Sequence, residues 1–284
     1  MNGLSIRVIS VGDSINFGYE YKKVHSVFKD AINILYGDKI ISVVNREIGG
    51  GPTNIVLDVD DLRLFKDVRI SGDVISIDGQ NIDITQADCY VSDLKEEKLS
   101  KSLLFKNLPR AESLLLKEGP FLSSAFLIDP EREAFFITPF ERNLMARIRT
   151  NFRDFMNGSL DALRELKGTG IGLTPQGDDL INGILISLSV FELVTGISTL
   201  SIREKIYDIV SSKNPVSNTF LYFSSKGKVY EVFKKFILSI STGEEGIETA
   251  TMNIINIGET SGADMLTGFI VGVKNFFEGG FQWQ

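Results

Sequence analysis

Between Leu180 and Leu200 the only charged side chain is Glu192. A segment of helical length that is apolar on every side has to be surrounded by protein or by lipid. The same span holds Asn182, Gly183, Ser187, Ser189, Thr195, Gly196, Ser198 and Thr199, a polar content poorly suited to a lipid-spanning helix. The expectation is a central, fully buried helix with the rest of a domain wrapped around it. A chain of 284 residues, 43% hydrophobic and 24% charged, is long enough to build that core.

The stretch leading into this helix, GTGIGLTPQGDD from Gly168 to Asp179, is the densest functional signal. Gly168, Gly170, Gly172 and Gly177 suit a backbone with unusual dihedrals or one that lets a ligand come close. Thr174-Pro175 predicts a helix start, with threonine as N-cap and proline at the first helical position. Gln176, Gly177, Asp178 and Asp179 then fall in the first turn. The loop lacks the Lys-Ser/Thr ending of a phosphate-binding P-loop, and its glycine spacing is not that of a dinucleotide fingerprint. Two readings stay open: a tight connector whose aspartates complement the helix dipole, or a binding site. Helix N-termini attract anions, but two aspartates there repel them. A site of this kind suits a divalent cation such as magnesium, held by Asp178 and Asp179. It equally suits the NH2 donors of a ureido or carbamoyl substrate.

A partial second copy follows. GDDLINGIL at Gly177–Leu185 resembles GADMLTGFI at Gly262–Ile270, pairing Gly177 with Gly262, Asp179 with Asp264 and Gly183 with Gly268. If Thr174 and Thr260 set the register instead, Asp178 is the counterpart of Asp264. Either way, two helix starts of like design can face one site. The alternative is that Gly183, Gly268 and Gly272 simply permit close helix contact. On the functional reading, Asp178, Asp179 and Asp264 are the catalytic candidates. Gly170, Gly172, Thr174, Gly177, Thr260 and Gly262 are then substrate-binding candidates, their backbone amides facing an oxyanion or phosphate.

Around this motif the chain reads as α+β, with a β-rich part at 1–92 and a mainly helical part at 93–284. Short β-like runs lie at Ser5–Val11, Lys39–Val44, Asn54–Val59, Asp67–Ile70, Val74–Ile77 and Ile82–Ile84. Asp78-Gly79 marks a tight hairpin. Val24, Phe28, Ile32 and Leu35 predict one helix over about His25–Tyr36. Further helices are expected at 143–155, from the Ser159 cap to Leu166, and at 176–194, 202–212, 228–241, 244–255 and 262–277. Ala134–Pro139 reads as an extra strand.

Secondary candidates are weaker. The GGGPTN turn ending at Asn54 is either a ligand-facing loop or a strand connector. His25 and Asn218 are possible substrate contacts, with a structural role or helix capping as the alternative. Arg142, Arg147 and Arg149 read as a solvated face, although an anionic substrate would need one such group. Cys89 reads as buried strand packing. The aromatic tail from Asn275, NFFEGGFQWQ, is either core packing or an interaction surface. A net charge of −7 argues against a nucleic-acid partner. One cysteine and one histidine exclude a disulfide framework and a multi-histidine metal site. The N-terminal sequence has no basic start followed by an apolar run, so a cytoplasmic setting is expected.

Taken in order, VHSVFKDAINIL, GGGPTNIV, GTGIGLTPQGDDLINGIL, NPVSNTFL and GETSGADMLTGFI resemble the family that includes the AllH-type subunit of bacterial oxamate carbamoyltransferase. GLTPQGDD is the distinctive string. The resemblance implies carbamoyl transfer: phosphorolysis of a ureido acid such as oxalurate to oxamate and carbamoyl phosphate, within a multi-subunit enzyme. It implies a homo- or hetero-oligomer acting on a small anionic or ureido metabolite. The other expectation is a non-catalytic subunit that binds a metabolite or organises partner chains.

Overall fold

The computed structural model describes residues 6–95, 97–243 and 246–279. It is an α+β protein: strands occupy the first third of the chain and helices the remainder. Contacts divide it into two units. The first runs to Asp93 and includes Lys228–Val232; the second holds Leu94–Gly227 and the chain from Phe233 onward.

In the first unit, β1 (Val8–Gly12), β3 (Val24–Val27), β4 (Ala31–Tyr36), β5 (Lys39–Val44), β6 (Asn54–Leu57) and β10 (Asp88–Tyr90) form a mixed sheet ordered β10-β1-β6-β5-β4-β3. β2 (Glu20–Tyr21), β7 (Val68–Ser71), β8 (Val74–Ile77) and β9 (Gln80–Asp83) form a second sheet, ordered β2-β7-β8-β9. One apolar cluster draws on both sheets, with Ile34, Ile41, Val43, Ile55, Leu57, Ile70 and Ile75 fully buried. The β8–β9 hairpin turns on Asp78 (φ 48°) and Gly79 (φ 84°), the pair of positive dihedrals that a two-residue hairpin of matching twist needs.

Residues 25–36 differ from expectation: they form the β3–β4 hairpin, not a helix. β4 is paired on both sides, so its apolar residues run almost continuously and imitate helical spacing. The turn at Phe28–Ala31 is closed by a backbone bond of 2.8 Å, and β-branched Val24, Val27, Ile32 and Ile34 favour the pleated state. Cys89 is exposed rather than buried, because β10 is an edge strand.

The second unit contains α1 (Lys101–Glu118), α2 (Pro139–Met156), α3 (Ala162–Leu166), α4 (Gln176–Thr195), α5 (Leu200–Val210), α6 (Pro215–Ser225), α8 (Ile247–Ile255) and α9 (Ser261–Phe277). α7 (Glu231–Ser241) begins in the first unit and continues in the second. Ala134–Pro139 is not a strand. Pro130–Phe135 is a 3-10 turn capped by Asp129, and Thr138 with Glu141 forms a capping box that starts α2 at Pro139. That local chemistry overrides the β-propensity of Phe135, Phe136 and Ile137.

α4 is the buried helix that the near-absence of charge requires: every residue from Gln176 to Phe191 is buried. Its closest companion is α9, and glycines explain the closeness. A Cβ on Gly183 would lie 2.0 Å from the Met265 carbonyl oxygen, and one on Gly268 would lie 2.1 Å from that of Leu180. No side chain fits at either point. Among the described residues no helix is long and apolar enough to cross a membrane. The last residues of the aromatic tail, 280–284, lie outside the described residues; Phe276 is core.

Candidate functional site

The loop between α3 and α4 carries Gly168 (φ 67°), Gly170 (φ 120°) and Gly172 (φ 106°), three left-handed positions in alternation. L side chains resist those dihedrals, so glycine at these positions sets the path of the loop. Its ends are anchored. The Gly168 amide donates to Asp178 Oδ1 at 2.7 Å, and Asn214 Nδ2 donates to the Leu173 carbonyl at 2.7 Å. Asn214 also caps α6, accepting from the Val216 and Ser217 amides. Ile171, at the tip, is exposed.

The start of α4 departs from expectation in one respect. Pro175 (φ −60°, ψ 148°) is itself the N-cap, and its carbonyl accepts from the Asp178 and Asp179 amides. Thr174 does not cap; its hydroxyl lies 3.1 Å from Ser261 Oγ, at the start of α9. The cap is displaced because the threonine side chain is engaged across the helix pair.

The two helix starts are built alike. The Gly177 amide bonds to the Thr169 carbonyl and the Gly262 amide to that of Ile257. A Cβ on Gly177 would fall 1.9 Å from the Leu166 oxygen, and one on Gly262 1.7 Å from that of Ile254. Each first turn therefore sits against the end of the preceding helix, which brings its acid deep into the protein. The glycine register is the structural one: Asp179 is the counterpart of Asp264, and both are buried. The neighbours exchange as well. Ser261 on α9 stands beside Asp179, while Gln176 on α4 stands beside Asp264.

Electrostatics separate the three acids. Asp179 is raised well above the usual carboxylate range, first by burial and then by the charge of Asp264, against the pull of the Ser261 and Thr174 hydroxyls. Burial pushes Asp264 up to about 7, although the Ser124 amide and hydroxyl, Thr260 and Gln176 favour its ionised form. Asp178 is also raised by burial, with the Gly168 amide, Ser217 and Lys167 opposing. Two buried carboxyls, one of which feels the charge of the other, resist double ionisation.

The Ser124 amide, at the start of the 3-10 turn Ser124–Leu127, donates to Asp264 Oδ1 at 2.6 Å. Gln176 Nε2 donates to the Leu122 carbonyl at 2.8 Å, tying that segment to α4. Asp179 Oδ2 and Asp264 Oδ2 are buried and outside hydrogen-bond geometry with their neighbours. Among the described residues no three His, Cys, Asp or Glu side chains converge as a metal-holding group. Of the two acids expected to hold a cation, Asp178 accepts from the loop amide and Asp179 is coupled to Asp264.

Residues 166–273, which contain this whole helix pair, match the family described as oxamate carbamoyltransferase subunit AllH, and residues 6–97 match the AllH family N-terminal domain. The chain belongs to the AllH family. No solved structure matches it.

The AllH N-terminal domain holds two of the residues predicted as substrate contacts. His25 is exposed on edge strand β3, with Ser26 Oγ 3.1 Å from its Nδ1. Asn54 is buried and donates to the Gly49 carbonyl. The glycines beside it are packed: a Cβ on Gly50 would lie 2.4 Å from the Tyr90 ring, and one on Gly51 2.3 Å from that of Tyr230. The GGGPTN turn is thus a filled connector. Neither residue shares a unit with the acid pair. In the helical unit, Asn218 spends its side chain on the Ser212 amide and carbonyl, fixing the α5–α6 turn. On α2, Arg149 pairs with Glu133, Arg142 donates to the Phe136 carbonyl and Arg147 to that of Glu165.

Sequence reasoning missed Ser124, Gln176, Asn214 and Ser261. Gln176 and Ser261 could have been found, since each directly precedes the glycine of its motif copy. Ser124 lies in an unremarkable segment and is brought in only by tertiary packing.

Proposed function

We propose that this chain is a subunit of a carbamoyl-transferring enzyme and that the Asp179–Asp264 pair binds the carbamoyl end of a small ureido acid. The observation that carries this reading is the pair of buried carboxyl oxygens outside hydrogen-bond geometry, at the meeting point of two duplicated helix starts. NH2 groups are the donors that such acceptors call for. The family description supports the chemistry, phosphorolysis of an oxalurate-like substrate to oxamate and carbamoyl phosphate. A phosphate oxygen attacks the ureido carbonyl carbon, and the bond from that carbon to the oxamate nitrogen breaks. The nitrogen gains a proton, balanced by the one phosphate loses.

With one histidine in the chain, binding and preorganised hydrogen bonds carry most of the rate. The acid pair would repel phosphate, so the phosphate meets backbone amides near Gly170 and Gly172 or a partner chain. On this reading the chain works as a subunit of a cytoplasmic homo- or hetero-oligomer.

A second reading, a non-catalytic assembly or metabolite-binding subunit, is favoured by one surface feature. Phe121 and Phe135 are exposed and stacked at 4.1 Å, and Ile137 and Phe140 are exposed nearby in sequence. The test is phosphorolysis of ureido acids by the purified chain, alone and with co-purified partners. Asp179→Asn and Asp264→Asn are each expected to abolish turnover while leaving the fold intact. Full activity in both variants removes the acids from the mechanism; activity of the chain alone removes the second reading.

A further inference from the structure

Between the end of α1 and the first turn of α2 the chain exposes a run of apolar side chains. From Ala134 to Phe140 only Phe136 turns inward, where its ring meets that of Phe126 edge-on. Phe121 joins the run from the other side of the segment, stacked on Phe135 at 4.1 Å. Phe121 is 55% exposed, Phe135 44%, Ile137 68% and Phe140 59%. With a phenylalanine side chain presenting about 200 Å² when free, these four and the exposed Leu122 offer on the order of 400–500 Å² of apolar surface. Single exposed apolar residues are ordinary, but a contiguous patch of that size marks an interaction surface.

The patch is held rigidly. Arg132 is buried, donates to the Leu116, Gly119 and Pro120 carbonyls, and lies 5.4 Å from the centre of the Phe121 ring. Asp129 caps the 3-10 turn that carries Phe135, and Glu141 accepts from the Ile137 and Thr138 amides just before Phe140. Groups already fixed in place lose little freedom on docking.

Charge and area both point to one occupant. Residues 129–149 carry four acids, Asp129, Glu131, Glu133 and Glu141, and four arginines, Arg132, Arg142, Arg147 and Arg149. Glu133 and Arg149 pair with each other, and Arg142 donates to the Phe136 carbonyl. The rim therefore has no field of one sign to select an acidic or a basic partner. A neutral apolar patch can face its own copy across a two-fold axis without repulsion. An ordinary interface covers about 800 Å² on each partner and is about 65% apolar between identical chains, which is about 500 Å² of apolar surface. This patch alone supplies that amount.

We propose that the Phe121–Phe135 stack, with Ile137 and Phe140, is the two-fold contact between two copies of this chain. The contact is independent of the acid pair and of the reaction the chain serves, since it uses neither Asp179 nor Asp264.

Sedimentation velocity on the full-length chain at concentrations up to about 100 μM tests it. The wild type is expected to sediment as a pair of chains. Phe140→Asp puts an acid in the first turn of α2, where the helix dipole favours it, so the fold is kept. This variant is expected to weaken association at least roughly thirtyfold. Ile197→Asp is the control: Ile197 is 60% exposed and follows the far end of α4, whose start is tied to Leu122 through Gln176. That end is about 30 Å away along the helix, so the pair should survive. Hydroxyl-radical footprinting of the wild type needs no variant. Phe121, Phe135 and Phe140 should be labelled no faster than buried Phe126, while exposed Tyr19 is labelled readily. A wild type that stays a single chain overturns the proposal, even if a co-purified partner covers the patch. So does a pair that survives Phe140→Asp at full strength, one that Ile197→Asp breaks equally, or ready labelling of the three rings in the pair.

Discussion

Gly183 and Gly268 each lie against the backbone of the other's helix, Gly183 beneath the Met265 carbonyl and Gly268 beneath that of Leu180. Met265 stands in the same place relative to Gly268 as Leu180 does to Gly183, so the contact is reciprocal. It is this crossing that lets two acids from separate helix starts share one buried space.

Alanine at either position should therefore be severe. A methyl group 2.0 Å or 2.1 Å from a carbonyl oxygen forces α4 and α9 apart, at a cost of about 3 kcal/mol or more. Gly196→Ala is the control: it has a positive φ of 74° and nothing within 4 Å, so it should cost only about 1 kcal/mol. Denaturant melts of the three variants check the ranking; equal losses would contradict the close crossing.

The acid pair should make stability fall as pH rises. In the folded chain Asp264 is raised from 3.8 to about 7, and Asp179 is raised in the same sense. The folded state then binds more protons than the unfolded state above pH 4, and the associated stability is present at low pH and lost on the way to pH 7. The loss from Asp264 is at most about 4 kcal/mol. Asp264→Asn should flatten the fall in melting temperature between pH 5 and about pH 7 and raise the value at neutral pH. A variant with the same pH slope as the wild type would show that the pair is not the source.

Asn214 joins the cap of α6 to the glycine loop through Leu173. Asn214→Ala should lower stability by about 1–2 kcal/mol and speed amide exchange in residues 169–173 well beyond the rest of the second unit. Unchanged exchange in the loop would mean that the Leu173 contact does not hold it.

Gly170→Ala should harm the loop more than its exposure suggests. The new methyl would sit 2.7 Å from the Gln176 amide nitrogen at a φ of 120°. Strain of this kind costs on the order of 1–3 kcal/mol, and displacing Gln176 should lower turnover of the assembled enzyme as well as its melting temperature. A variant that loses stability but keeps full turnover would show that Gln176 plays no part at the acid pair.

Much of this protein was legible in order along the chain. The nearly charge-free span read as a buried helix, and Asp78-Gly79 as the turn of a hairpin. The repeated G-D-G pattern marked both helix starts before any packing was known. These features are local: they depend on dihedral preference, on capping and on burial of one short segment. What the sequence left open is what tertiary contact decides. Val24–Tyr36 carries helical spacing yet pairs as strands, because its partners β5 and the sheet beyond supply the hydrogen bonds. Two registers were possible for the acids, and the glycine contacts between α4 and α9 choose Asp179 over Asp178. Ser124 joins the site from a segment with no motif at all. Burial can be read from composition, but the identity of the atoms that cover a buried group depends on the whole packed chain.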